Sequence, residues 1–136
     1  MIRAAVFLLS LISSMQSVLA CDIPEGWLPM TPTADTKHTL WIRPDDGAYR
    51  QGQRFGADIM ACADNKIILA EDVSIDAIMP AHRHGMNYLP ELSPDEQTNL
   101  LRVSGLFFHM PGEWQITVTL DLSGKPERHS LTITVQ

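Results

Sequence analysis

The sequence predicts an all-β chain, folded as an antiparallel sandwich of about seven strands. Three observations predict it. Short runs that alternate or are rich in β-branched residues recur at regular spacing: "TLWIR" (39–43), "RFGADIMACA" (54–63), "AEDVSIDAIM" (70–79), "LLRVSGLFFH" (100–109), "WQITVTLDL" (114–122) and "HSLTITVQ" (129–136). Turn residues separate them in "PDDG", "ADN", "PG" and "SGKPE", the punctuation of a small sandwich. Within "WQITVTLDL", Trp114, Ile116, Val118, Leu120 and Leu122 fall on one face, and Gln115, Thr117, Thr119 and Asp121 on the other. That period of two marks a half-buried strand.

Taken in order, residues 1–20 read as a secretory signal, expected to be cleaved. Arg3 gives the charged start, Ala4–Ile12 the apolar run, and Val18-Leu19-Ala20 the small-residue end. The run is too short to span a bilayer. Of 136 residues, 116 follow Ala20, a normal size for one domain. Residues 21–38 hold Pro24, Pro29 and Pro32 without apolar period, and are expected to form an extended leader laid along an edge strand. The sandwich proper is drawn at 39–136.

In "DVSIDAIM", Val73, Ile75, Ala77 and Met79 face one way against Ser74 and Asp76. The last strand repeats this with Leu131, Ile133 and Val135. One core should therefore bury Trp114, Ile116, Val118, Leu120, Ile133, Val135, Ile75 and Phe108. Only "SPDEQTNLL" (93–101) looks helical, with Ser93 as N-cap and Glu96 completing a capping-box pattern.

Cys21 and Cys62 admit two readings. "SVLAC" loosely resembles a lipobox, in which Cys21 would be lipidated, with Leu19 one position nearer the cysteine than usual. Alternatively, Cys21 and Cys62 form a disulfide in an oxidising compartment. A thioether-linked lipid leaves no thiol to oxidise, so each reading largely excludes the other.

The chemistry concentrates in "MPAHRHGM" (79–86). Pro80 cannot continue a central strand, so the segment should be a strand-end loop. In extended chain His82, His84 and Met86 would share a side, with Gly85 allowing a sharp turn between imidazole and thioether. Imidazole suits copper, zinc and nickel, whereas thioether selects Cu(I). His82, His84 and Met86 are therefore candidate copper ligands, while Met79 continues its strand's apolar face and reads as core. "FFHMPGEW" (107–114) echoes the motif, making His109 and Met110 further candidates. Both motifs end long strands, and can meet at one pole only if those strands run the same way. A short returning strand in "NYLPEL" (87–92) would allow it. His38 and His129 stand alone and read as surface residues.

After Ala20 the chain carries 9 Lys+Arg against 16 Asp+Glu. That acidic balance argues against nucleic-acid binding and anionic-membrane docking. No nucleophile–base arrangement, phosphate loop or serine elbow is present, and Cys62 has no basic neighbour in sequence, so no enzyme activity is expected.

"IMPAHRHGMNYLP", followed by "VSGLFFHMPGEWQITVTL", resembles the YtkA-like family of small exported domains. The likeness covers about residues 40–136. Its motif positions fall on Met79, Pro80, His82, His84, Gly85 and Met86, then on Gly105, Phe108, Met110, Gly112 and Trp114. Arg83 occupies a slot that is often small. The resemblance implies an immunoglobulin-like sandwich and copper handling on the outer side of a bacterial inner membrane. It implies as partner a copper-accepting envelope protein or an oxidase assembly complex. The expected function is a periplasmic copper carrier or assembly factor, touching the membrane only through a lipid on Cys21. The rival expectation is an interaction module of an envelope complex with no metal role.

Overall fold

A computed structural model describes residues 21–69, 72–122 and 124–136; the signal assigned to residues 1–20 lies outside them. Alternating side chains and frequent turns produce ten strands and, among the described residues, no helix. They are β1 (Leu28–Pro32), β2 (Thr39–Pro44), β3 (Arg54–Ala63), β4 (Lys66–Ile68), β5 (Val73–Met79), β6 (His84–Gly85), β7 (Glu91–Asp95), β8 (Leu100–Phe107), β9 (Gly112–Asp121) and β10 (Pro126–Val135). Every pairing between strands is antiparallel.

The sheet runs β6-β5-β9-β10-β1-β2-β3-β8-β7, with β4 added on β3, and curls upon itself. Its bend lies in β1. Leu28, Pro29 and Met30 pair with β2, whereas Thr31 and Pro32 pair with β10. The inner faces then meet in one core, with Leu40, Ile42, Ala57, Ile59 and Val103 against Ile75, Ala77, Ile116, Val118 and Leu120. All eight predicted core residues are buried. The strands beyond the expected seven are β1, which lies within the leader, and the short β4 and β6.

The leader does more than line an edge. Met30 enters the main core, and Trp27 is buried with Met60 and Cys62 in a second cluster, which Cys21, Ile23, Trp41 and Ile67 flank. Cys21 is disulfide-bonded to Cys62, with Cα atoms 6.1 Å apart. This is the second of the two cysteine readings. Among the described residues, packing therefore reaches back to Cys21, ahead of position 39.

Residues 93–101 are not helical. Glu91–Asp95 take a backbone ladder with Leu100–Ser104 instead, a gain that a single turn of helix cannot match. The hairpin turn is held locally: the Gln97 amide donates to Asp95 Oδ1 at 2.9 Å, and Asn99 adopts φ 56°. Asn tolerates that left-handed region better than most residues.

β8 carries a bulge. Phe55 and Ala57 of β3 face Leu106 and Val103, so one extra β8 residue is accommodated. Gly105 supplies the required φ of +81°. The bulge shifts the alternation, and Val103, Leu106 and Phe108 all point inward.

Neither solitary histidine is a free surface residue. His129 is fully buried on the inner parity of β10. His38 is partly buried, with Nδ1 2.7 Å from Glu127 Oε2; Thr36 also donates to that oxygen.

Candidate functional site

Strand direction brings the two motifs together. β5 is antiparallel to β9, so Ile78 lies opposite Gln115 and the end of β5 reaches the start of β9. β8 also ends there, a few residues before Gly112. "MPAHRHGM" and "HMPG" therefore occupy one pole of the sandwich, with β7 as the returning strand.

After Met79 the chain reverses through a tight turn, in which the His82 amide donates to the Met79 carbonyl at 3.2 Å. The residue at positive φ is Arg83, at 49°, and not Gly85, which lies in β6. This reversal separates the two histidines of the motif. His82 is exposed in the turn, whereas His84 pairs with Met79 across β5 and β6. Directly opposed residues share a face, so His84 lies on the side of buried Met79. Met86 follows two residues later, its amide donating to the Ala77 carbonyl at 3.1 Å, and packs against the core.

The partner of His84 is His109, not His82. Their ring centroids lie 4.6 Å apart at 61°. His109 also meets the Trp114 ring edge-on at 5.4 Å, and Phe107 stacks near it at 6.3 Å. The loop is fixed from both sides. Trp114 Nε1 donates to the Met110 carbonyl at 3.0 Å, and Gln51 Nε2 donates to the His109 carbonyl at 3.3 Å. Gly112, at φ +125°, lets Met79 approach; a Cβ there would stand 3.0 Å from the Met79 Cε.

Three ring nitrogens of the pair are buried without a hydrogen-bond partner: His84 Nε2, His109 Nδ1 and His109 Nε2. Such an atom costs about 1–3 kcal/mol when nothing replaces its lost water. Met86 and Met110 lie two residues and one residue beyond His84 and His109 and pack against the core, so thioethers belong to the same pole. Among the described residues no three His, Cys, Asp or Glu side chains converge as a metal group. Two imidazoles with thioethers, inside an aromatic wall, are what the pole offers to an ion. Met79 is buried core, as its parity indicated. The paired cysteines stand at the other pole, where Cys62 faces Thr39 and the Cys21 amide meets the Asn65 carbonyl.

The meeting of the two motifs at one pole was expected, but the parting of His84 from His82 was not, because extended geometry was assumed through Arg83. No residue type announces a left-handed arginine, although Pro80 and Gly85 marked the reversal. No family model, curated protein or solved structure matches this chain.

Proposed function

We propose that this chain is an exported, non-enzymatic carrier of Cu(I), which it takes as cargo between His84 and His109. Met86 and Met110 supply thioether donors, and exposed His82 is an outer donor for an arriving ion. The observation that carries this reading is the interlocked His84–His109 pair with three buried, unpartnered nitrogens. Zinc sites usually gather three or four N, O or S ligands, whereas two imidazoles with soft thioethers favour Cu(I). The likeness of both motifs to YtkA-like domains supports the same reading. It also suggests the destination, a copper-accepting envelope protein of the oxidase-assembly kind.

Anaerobic Cu(I) titration against a chromophoric chelator, followed by thermal melts, tests this. A ligand that binds only the folded state raises stability by about 2.7 kcal/mol at a hundredfold excess over Kd. His84→Ala and His109→Ala should each abolish the copper-dependent rise in Tm, while His82→Ala should leave most of it. If Cu(I) does not shift the wild-type Tm, the carrier reading falls and the interaction-module alternative replaces it.

A further inference from the structure

The leader meets the second half of the sandwich through a narrow seam. Beyond Met30, β1 pairs with β10 at Thr31–Ser130 and Pro32–His129, and Pro32 has no N–H to give that ladder. Thr33 adds two bonds to the Arg128 carbonyl, from its amide at 2.9 Å and its hydroxyl at 3.2 Å. Residues 33–38 then return to β2, tied down by one carboxylate. Glu127 accepts from Thr36 Oγ1 and lies 2.7 Å from His38 Nδ1. A cleft of about 270 Å³ opens between residues 33–36 and 125–128, so the loop is spaced from β10 there.

His129 lies directly beneath this seam. It is fully buried, opposite Pro32 on one side and Val118 on the other, and neither ring nitrogen has a hydrogen-bond partner. Towards the core, β2, β3, β5, β8 and β9 present apolar side chains such as Leu40, Ile59, Ile75 and Val103. Asp35 and Lys37 of the loop are exposed, and Arg128 has the outward parity of β10. The titratable groups that act on His129 are thus Glu127, two residues earlier on the same face, and His38. Burial keeps the ring neutral, its pKa below the usual 6.5. A charge taken up there finds no partner in the core. The anion that acts on it is the carboxylate holding the loop.

We infer that His129, Glu127 and His38 form an acid-sensitive latch on the leader: protonation turns His129 toward Glu127, takes that carboxylate from Thr36 and His38, and frees residues 31–38 from β10. The move is local. Leu28–Met30 keep their ladder with β2, and the Cys21–Cys62 bond keeps the chain ahead of them on the sheet. Opening coupled to uptake of one proton grows by up to about tenfold per pH unit below 6.5, and levels off once the buried ring also titrates. The latch sits away from His84 and His109 and does not depend on the copper reading.

Native-state amide exchange of the disulfide-bonded protein at pH 7.5, 6 and 5, referred to intrinsic rates at each pH, tests this. The Thr33 amide, bonded to the Arg128 carbonyl, and the His38 amide, bonded to Thr36 Oγ1, report on the latch. Their protection should fall about tenfold between pH 7.5 and 5. It should not respond to low urea, the mark of an opening that exposes little surface, whereas the β2–β3 and β5–β9 ladders exchange through urea-dependent unfolding. His129→Leu should remove the pH dependence at Thr33 and His38. Glu127→Gln should lower their protection already at pH 7.5. Retained pH dependence in His129→Leu overturns the inference, as does wild-type protection that is independent of pH. So does exchange of Thr33 and His38 only with the urea-sensitive ladders, a result the wild type gives even if His129→Leu does not fold.

Discussion

His129 is a buried imidazole facing inward from β10, with both ring nitrogens unpartnered. Burial holds its pKa below the usual 6.5; Glu127 acts the other way, and His38 reinforces the lowering. The folded state thus prefers the neutral ring, and the unfolded state takes up more protons near pH 6. Stability from this residue is complete above about pH 6.5 and is lost as pH falls through and below that value, at about 1.4 kcal/mol per unit of displacement. Glu127 is also lowered: burial raises it, but Thr36 and His38 outweigh that by hydrogen bonding, and its contribution fades only below the usual carboxylate range. Denaturant unfolding between pH 7.5 and 5 should show wild-type stability declining while His129→Leu stays flatter. Parallel curves would reject this. The sequence already held the signal, since His129 shares the parity of Leu131, Ile133 and Val135. Polarity was allowed to outweigh position. Gly105 was equally visible, and its bulge decides that Phe108 rather than Phe107 enters the core.

At the scale of strands and loops, long runs with clear alternation were legible, and short ones were not. β4 and β6 have three and two residues, too few to show a period. β1 is disguised by Pro29 and Pro32, yet supplies buried Met30. The capping-box pattern at Ser93 and Glu96 is a local preference, overridden by the ladder to β8. The leader offers a direct test. Cys21 and Cys62 are separated by 41 positions, and closing such a loop stabilises by up to about 4 kcal/mol in the chain-entropy account. Cys21→Ser/Cys62→Ser should lower the midpoint of chemical unfolding accordingly. Cu(I) affinity should remain within error, because the bond lies at the pole away from His84 and His109. A matching loss of copper binding would show the two ends to be coupled.

Across the whole molecule, β1 makes the two halves of the curled sheet one cooperative unit, since it pairs with β2 by one half and with β10 by the other. A chain beginning at Thr39 should lack that seam, expose the edges of β2 and β10, and lose a sharp thermal transition. A chain beginning at Cys21 should melt in a single step. Comparing their calorimetric traces checks this, and a cooperative melt of the shorter chain would refute it. The Cys21–Cys62 bond also fixes an orientation. It sits where β3 ends, whereas Arg54 at the other end of β3 lies beside Phe107 and the histidines. Cys62 and Arg54 are eight positions apart along β3, about 27 Å at the usual rise. With the disulfide at its heel and the histidine pair beyond the far end of β3, the molecule keeps its covalent staple and its candidate site a full strand's length apart, so that a change at one end has no direct contact through which to disturb the other.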